Sequence, residues 1–110
     1  MQGSIGYMSL VIQKYGGTSV GNLEKIRDVA KKIVSDCNAG DHVVVVVSAM
    51  AGETDRLLKM AHQLSDEPSQ RELDLLLSSG ERISASLLAM AIQSMGYRAI
   101  SFTGRQVGIV

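Results

Sequence analysis

The sequence predicts an α/β protein, because two strand patterns flank one amphipathic helix pattern near the start of the chain. Residues 9–15 form a short run with adjacent β-branched residues that ends at Gly16 and Gly17. Residues 42–48 read HVVVVVS, and such a short continuous apolar run is typical of a strand buried on both faces of a parallel sheet. Between them, apolar residues recur at steps of three and four, namely Leu23, Ile26, Ala30, Ile33, Val34 and Cys37. Together these segments predict a βαβ unit with a right-handed crossover.

Capping residues suggest where the helices begin. Thr18 and Ser19 can cap the first predicted helix with their hydroxyl groups. A second helix is predicted over residues 55–64. Ser69 forms an S-x-x-E capping box with Glu72, which predicts the start of a third helix.

Glycines divide the second half of the chain. Gly80 is predicted to interrupt the third helix, and a long helix over residues 81–95 is predicted to follow and to end at Gly96. Residues 97–102 are predicted to be a third strand, and residues 107–110 read as the start of a further element.

Composition disfavours several classes of function. Lysine plus arginine and aspartate plus glutamate both number 11, so the net charge is zero, which disfavours a nucleic-acid partner and a polybasic membrane anchor. No apolar run approaches the roughly 20 residues that a membrane-spanning helix needs. Cys37 is the only cysteine, which excludes an intramolecular disulfide and a CxxC metal site and fits the cytoplasm. We therefore expect a cytoplasmic protein with no nucleic-acid partner, no membrane segment and no bound metal.

One segment suited to ligand chemistry follows the first strand. Lys14 stands at the strand end, and Gly16 and Gly17 come directly after it. Glycines let backbone N–H groups approach an anion closely, and the lysine can reach the same anion. The segment matches neither the P-loop pattern nor G-x-G-x-x-G. A tight strand-to-helix turn with a solvated lysine therefore stays open as the alternative.

Two further segments carry polar residues next to glycine. After the second strand, Ser48 and Thr54 can donate to a phosphate or a carboxylate, and helix capping by Thr54 is the alternative. At Gly80, the carboxylate of Glu81 can bind a substrate ammonium. Capping of the following helix by Ser79, with Glu81 at the positive end of the helix dipole, is the alternative there.

Taken together, four strings resemble the N-terminal part of the catalytic domain of aspartokinases, in the amino acid kinase family. They read VIQKYGGTSV from Val11, VSAMAGETD from Val47, SGERIS from Ser79 and SFTGRQ from Ser101. The match covers residues 9–110 in the family's order, and KYGGTS is specific to aspartokinases within this superfamily. The resemblance implies a three-layer αβα fold with a mainly parallel sheet, of the carbamate kinase-like type, of which these residues are the N-terminal portion.

The resemblance also implies a reaction. It is phosphoryl transfer from ATP, with Mg²⁺, to the side-chain carboxylate of L-aspartate, giving 4-phospho-L-aspartate, the first step towards lysine, threonine and methionine. The resemblance implies that Lys14 is the catalytic residue that neutralises charge on the transferring phosphoryl group. The implied ATP- and phosphate-binding residues are Lys14, Tyr15, Gly16, Gly17, Ser19 and Ser48. The implied L-aspartate-binding residues are Thr54 and Glu81, with Glu81 taking the α-ammonium.

The resemblance covers only part of such an enzyme. An RGGSD-type segment with a substrate-binding arginine and a catalytic aspartate, the adenine-binding strands and the C-terminal ACT domains are expected further along, outside these 110 residues. We expect residues 1–8 to be a leader or an expression remnant, and residues 9–110 to be an incomplete kinase domain, inactive alone and homo-oligomeric. The alternatives are an amino acid kinase that acts on another carboxylate, and a non-catalytic anion-binding or regulatory module.

Overall fold

The computed structural model describes residues 10–37, 41–102 and 106–109. The elements in chain order are β1 (Leu10–Tyr15), α1 (Leu23–Asp36), β2 (His42–Val47), α2 (Glu53–Leu64), α3 (Gln70–Ser94), β3 (Ala99–Ser101) and β4 (Gln106–Ile109). This confirms the predicted α/β class and the βαβ unit. The predicted leader, together with Ser9 and Val110, lies outside the described residues.

The four described strands form one mixed sheet in the order β1-β2-β4-β3. β1 and β2 are parallel, with Tyr15 opposite Val47, so their carboxyl ends meet at one edge of the sheet. β4 is antiparallel to both β2 and β3. The expected mainly parallel pairing therefore holds only for the βαβ unit. Four residues separate β3 from β4, which is enough for a hairpin but far too few for the crossover that parallel strands need.

The core lies on one face of the sheet, where α1 and α3 pack side by side. Val43, Val45 and Val47 point into this face and are almost fully buried. The helical side chains that complete the core are Ile26, Val29, Ala30, Ile33, Ala85, Leu88, Ala89 and Ile92. A fully buried aliphatic side chain contributes about 1.5–3 kcal/mol to stability, so this layer holds the fold together.

The opposite face of the sheet has no helical layer within the described residues. Register places Ile12, Val44, Gly108 and Ile100 on one rung, so their side chains share that face. Ile12 is 64% exposed and Ile100 is 54% exposed. The ring of Phe102 lies over Gly108, where a Cβ would come within 2.9 Å of it. We call this surface the open sheet face.

The first helix begins later than predicted. Asn22, not Thr18 or Ser19, caps α1, and its Oδ1 accepts a hydrogen bond of 2.8 Å from the Lys25 N–H. The residues before it first form a turn, closed by the Ser19 N–H donating to the Gly16 carbonyl, and Val20 enters the core. At the other end, Cys37 packs half-buried against the core, as its apolar position predicted, and burial raises the pKa of its thiol.

The two helices predicted on either side of Gly80 form one helix of 25 residues. Ser69 caps it as predicted, accepting a hydrogen bond from the Glu72 N–H, but Gly80 does not interrupt it. The third candidate segment is therefore the middle of a helix, and Ser79 donates to the Leu76 carbonyl instead of capping. Glycine inside a helix costs about 1 kcal/mol relative to alanine, and the close packing at Gly80 described below explains why it is tolerated. By length and composition alone, α3 is apolar enough to cross a membrane, a test that core helices also pass.

Candidate active site

The loops that follow β1 and β2 are joined at the carboxyl edge of the sheet. The Ser48 N–H donates to the Tyr15 carbonyl, and the Ala51 N–H donates to the Gly17 carbonyl, both over 3.1 Å. A Cβ at Gly17 would lie only 2.8 Å from the carbonyl oxygen of Ala49, so this position requires glycine. By contrast, no atom lies within 4 Å of a Cβ built at Gly16. The first loop is thus fixed at Gly17 and open at Gly16, where a ligand has room to approach.

The middle of α3 packs against the second loop. A Cβ at Gly80 would lie 3.0 Å from the Ala49 Cβ and 3.4 Å from the Glu53 Cγ. This approach of small residues brings Glu81, the next residue of α3, to the same edge as the two loops. All three candidate segments therefore meet at one edge of the sheet, although the third is helical.

Lys14 and α3 lie on opposite sides of the sheet. Lys14 shares a rung with Val46 and so projects from the open sheet face, whereas α3 packs on the helical face. Side chains from the two sides can meet only beyond the strand ends. In α/β sheets this is where ligands bind.

Tyr15 and Ser19 lie on the helical side of the first loop. The Tyr15 hydroxyl donates to Gln13 Oε1 over 2.9 Å, and burial together with the charge of Asp36 raises the pKa of the phenol. Both residues line an open cleft of about 540 Å³ beside α1, with Lys25 and Lys32 on its wall. The side chains of Tyr15 and Lys14 therefore project from opposite faces of β1. Tyr15 contributes to the carboxyl edge of the sheet through its carbonyl, which accepts the hydrogen bond from the Ser48 N–H.

Charge divides the edge into two parts. Residues 16–21, after Lys14, contain no acidic side chain, which suits an anion. The start of α2 carries Glu53 and Asp55. Arg56 donates to Glu53 over 2.6 and 3.1 Å, and this hydrogen bonding lowers the pKa of that carboxyl. Asp55 and the half-buried Glu81 add two further carboxylates on the α2–α3 side, which favours a ligand cation there.

Thr54 is not the cap of α2. The helix begins at Glu53, with Gly52 at the N-cap in the left-handed conformation (φ 84°) and no side-chain capping bond. Thr54 is the second residue of the helix and is exposed, so its hydroxyl is available to a ligand. The capping alternatives at Thr54 and Ser79 are therefore both wrong.

The sequence argument missed the residues that hold the site together. Ala49 and Gly80 pack against each other, and Arg56 forms an ion pair with Glu53, the residue before Thr54. The i, i+3 spacing of Glu53 and Arg56 was visible in the sequence. The contact between Ala49 and Gly80 was not, because nothing local indicates which distant small residue a glycine meets. Among the described ranges, no group of three histidine, cysteine or acidic side chains is arranged to hold a metal ion.

Comparison with known proteins identifies the family of this chain. Residues 9–109 match the sequence profile of the amino acid kinase family. The chain belongs to the amino acid kinase family. The strings KYGGTS, SAMAGETD and SGERIS all lie within the matched residues, and the structure brings them to one edge of the sheet.

Within the amino acid kinases, curated proteins that resemble this chain are aspartokinases. It is 51% identical over 102 residues to an aspartokinase of Geobacillus stearothermophilus, covering 93% of this chain and 25% of that protein. It is 52% identical over 102 residues to aspartokinase 2 of Bacillus subtilis, with the same coverage. It is 57% identical over 103 residues to an aspartokinase of Mycolicibacterium smegmatis, covering 94% of this chain and 24% of that protein. The chain therefore spans about a quarter of the length of these relatives.

Solved structures support the same kinase fold. The crystal structure of aspartate kinase from Synechocystis matches with a TM-score of 0.79 and 48% sequence identity, over 84% of this chain and 16% of that one. The structure of E. coli aspartokinase III in complex with aspartate and ADP matches with a TM-score of 0.62 at 21% identity, over 81% of this chain and 30% of that one. At that identity the second match shows the fold alone.

Proposed function

We propose that this chain is the N-terminal part of an aspartate kinase, and that the complete enzyme transfers the γ-phosphoryl group of MgATP to the side-chain carboxylate of L-aspartate. A carboxylate oxygen attacks the γ-phosphorus, the bond from that phosphorus to the bridging oxygen breaks, and ADP leaves. The products are 4-phospho-L-aspartate and ADP. This would be a cytoplasmic step towards lysine, threonine and methionine. The observation that carries the proposal is the meeting of the three aspartokinase-like strings at one edge of the sheet.

Lys14 and the first loop would hold the phosphates. Phosphoryl transfer depends mainly on positioning and on stabilising charge as it develops. The ammonium of Lys14 would neutralise charge on the transferring group, and the open backbone at Gly16 would approach a phosphate oxygen. Gly17 would keep this loop against the second loop, where Ser48 follows β2. The lack of acidic residues in the first loop supports this assignment.

L-Aspartate would bind on the other side of the edge, where acidic side chains predominate. Glu81 would accept hydrogen bonds from the α-ammonium, and the exposed hydroxyl of Thr54 would donate to a substrate oxygen. The packing of Gly80 on Ala49 fixes Glu81 relative to the phosphate loop. Such fixed placement of two reactants is a large part of catalysis, because it lowers the entropic barrier to their encounter.

The remainder of the enzyme is expected to supply the substrate-binding arginine, the catalytic aspartate and the adenine pocket. We therefore expect residues 1–110 alone to show no aspartate-dependent ATP turnover. The measurement compares the purified chain with its Lys14→Ala variant, in a coupled assay for ADP with and without L-aspartate. Turnover of the unchanged chain above that of the variant would contradict this.

The activity itself is tested in a chimaera. The matching 102 residues of the Geobacillus stearothermophilus aspartokinase are replaced by their counterparts from this chain. We expect turnover with L-aspartate and far less with L-glutamate or N-acetyl-L-glutamate. Preference for another carboxylate would identify a different amino acid kinase. A folded chimaera without kinase activity would favour a non-catalytic anion-binding or regulatory module.

A further inference from the structure

The ion pair between Glu53 and Arg56 lies where α2 meets α3, and the roles proposed above do not include it. The two residues are three apart at the start of α2, so they share one face of that helix. Arg56 Nη2 donates to Glu53 Oε1 over 2.6 Å, and Arg56 Nε donates to Oε2 over 3.1 Å. Both carboxylate oxygens therefore accept a hydrogen bond, and this two-point geometry makes an arginine–carboxylate pair strong.

Glu53 is the more buried member of this pair. Its side chain is 23% exposed, whereas that of Arg56 is 59% exposed. The stem of Glu53 packs on α3, since a Cβ built at Gly80 would lie 3.4 Å from the Glu53 Cγ. Asp55, two residues further on, lies on another face of α2. Glu53 is thus the acidic residue of this turn that contacts α3, and Arg56 is its counterion.

The contact with Gly80 matters because Glu81 is the next residue of α3. L-Aspartate carries one ammonium group and two carboxylates. A second unpaired carboxylate beside Glu81 would compete with it for the ammonium group, and it would repel the carboxylates of the ligand. The guanidinium of Arg56 cancels the charge of Glu53. The same hydrogen bonding lowers the pKa of the Glu53 carboxyl, so the pair persists at neutral pH.

We propose that Arg56 is a positioning residue for L-aspartate, because by neutralising Glu53 it leaves Glu81 as the carboxylate that receives the α-ammonium. This inference rests on the proposed function, since it takes Glu81 as an aspartate-binding residue. Arg56 acts through Glu53 and need not touch the substrate. Removing Arg56 alone should therefore impair aspartate binding, whereas removing both members of the pair should not.

A second ion pair, between Arg71 and Glu72, provides a matched control. Arg71 Nη1 lies 2.6 Å from Glu72 Oε2, and both side chains are exposed. This pair stands at the start of α3, nine residues before Glu81, or roughly 13 Å along a helix. That distance exceeds the Debye length of about 8 Å at physiological ionic strength. Loss of Arg71 should therefore have little effect on a ligand at Glu81.

Steady-state kinetics of the aspartokinase chimaera test the proposal. Arg56→Gln should raise the KM for L-aspartate at least about fivefold, because the charge of Glu53 is then uncompensated. The KM for ATP should not change. The kcat should also stay the same, because a loss that affects the bound substrate and the transition state equally raises the KM alone. Arg71→Gln should change neither KM.

Two further variants test whether Arg56 acts through Glu53. Glu53→Gln combined with Arg56→Gln removes both charges, so it should return the aspartate KM to that of the unsubstituted chimaera. Arg56→Lys keeps the positive charge but not the two-point contact, so its aspartate KM should be intermediate. Circular dichroism of each variant verifies that it is folded.

Several results would overturn the proposal. An unchanged aspartate KM in Arg56→Gln would mean that the charge of Glu53 does not reach the substrate. An equal rise in Arg56→Gln and in the double variant would mean that Arg56 acts without Glu53. A comparable rise in Arg71→Gln would indicate a general effect of lost positive charge.

A carbon-13 NMR titration of the Glu53 carboxyl in the 110-residue chain tests the ion pair without kinase activity. Arg56→Gln should raise the pKa of this carboxyl towards its ordinary value, and an unchanged pKa would also overturn the proposal. The two proposals fail in different ways. A chimaera that is inactive before any substitution contradicts the proposed function, whereas an active chimaera whose aspartate KM does not depend on Arg56 contradicts only the role of Arg56.

Discussion

Replacing Gly17 by alanine would test the junction between the two loops, and Gly16 offers a matched control one residue away. The new Cβ at position 17 would lie 2.8 Å from the Ala49 carbonyl oxygen, about 0.6 Å short of ordinary van der Waals contact. The obstacle is backbone, so the two loops must separate. At position 16 the same methyl group meets no atom within 4 Å. Neither glycine has a positive φ, since within the described ranges only Gly52 and Gly96 do.

The two substitutions are expected to change the free energy of unfolding in opposite directions. Overpacking of this kind costs about 1–3 kcal/mol, and loss of the hydrogen bond from Ala51 to Gly17 would add about 0.5–1.5 kcal/mol. An alanine in an unstrained position stabilises by about 0.4–1 kcal/mol, because it restricts the unfolded chain. We therefore expect Gly17→Ala to lower the free energy of unfolding by about 2 kcal/mol. Gly16→Ala should leave it unchanged or raise it slightly.

Urea unfolding followed by circular dichroism measures the difference. At a fixed protein concentration, the midpoint of Gly17→Ala should fall by about 1–2 M, given an m-value of about 1–2 kcal/mol/M for a small domain. The slope should stay the same if only the native state is strained. Equal midpoints for the two variants would refute the argument, because they would mean that the loops are not in contact at Gly17.

The remaining predictions concern activity and helix capping. If the complete protein has the proposed activity, Lys14→Ala in it should lower kcat by about 10²–10³-fold without a change in the circular dichroism spectrum, and near wild-type turnover would exclude its role at the phosphoryl group. Glu81→Gln should mainly raise the KM for L-aspartate with little effect on the KM for ATP, and Thr54→Ala should do the same more weakly, since it removes a neutral donor. An unchanged aspartate KM would leave Glu81 with a structural role only. Asn22→Ala should lower the free energy of unfolding by about 1 kcal/mol, whereas Thr18→Ala should not, and the reverse result would return the cap to Thr18.

The elements that the sequence predicted best are those with strong local patterns. The valine run of β2 and the apolar stripe of α1 have one reasonable interpretation each. The errors at Gly80 and at the start of α1 share a cause, because both involve local propensity overruled by distant packing. The helix continues through Gly80 because the absence of a side chain at this position lets α3 pack closely against Ala49. The start of α1 comes later than predicted because the chain first places Val20 in the core. The pairing of β4 between β2 and β3 depends on contacts far apart in sequence, which no local pattern encodes.

The position of β4 also governs the order in which this fold can form during synthesis. Val43 pairs with Ile109. The backbone groups on that edge of β2 therefore stay unpaired until the ribosome has added all the residues between these two. At about 5–20 residues per second, that interval lasts roughly 3–13 s, whereas helices form locally within microseconds. A strand of five consecutive valines with an unpaired edge is prone to aggregation. Once residues 106–109 are synthesised and pair with β2, this edge is covered. Until then, binding by chaperones would protect the nascent chain from aggregation through β2.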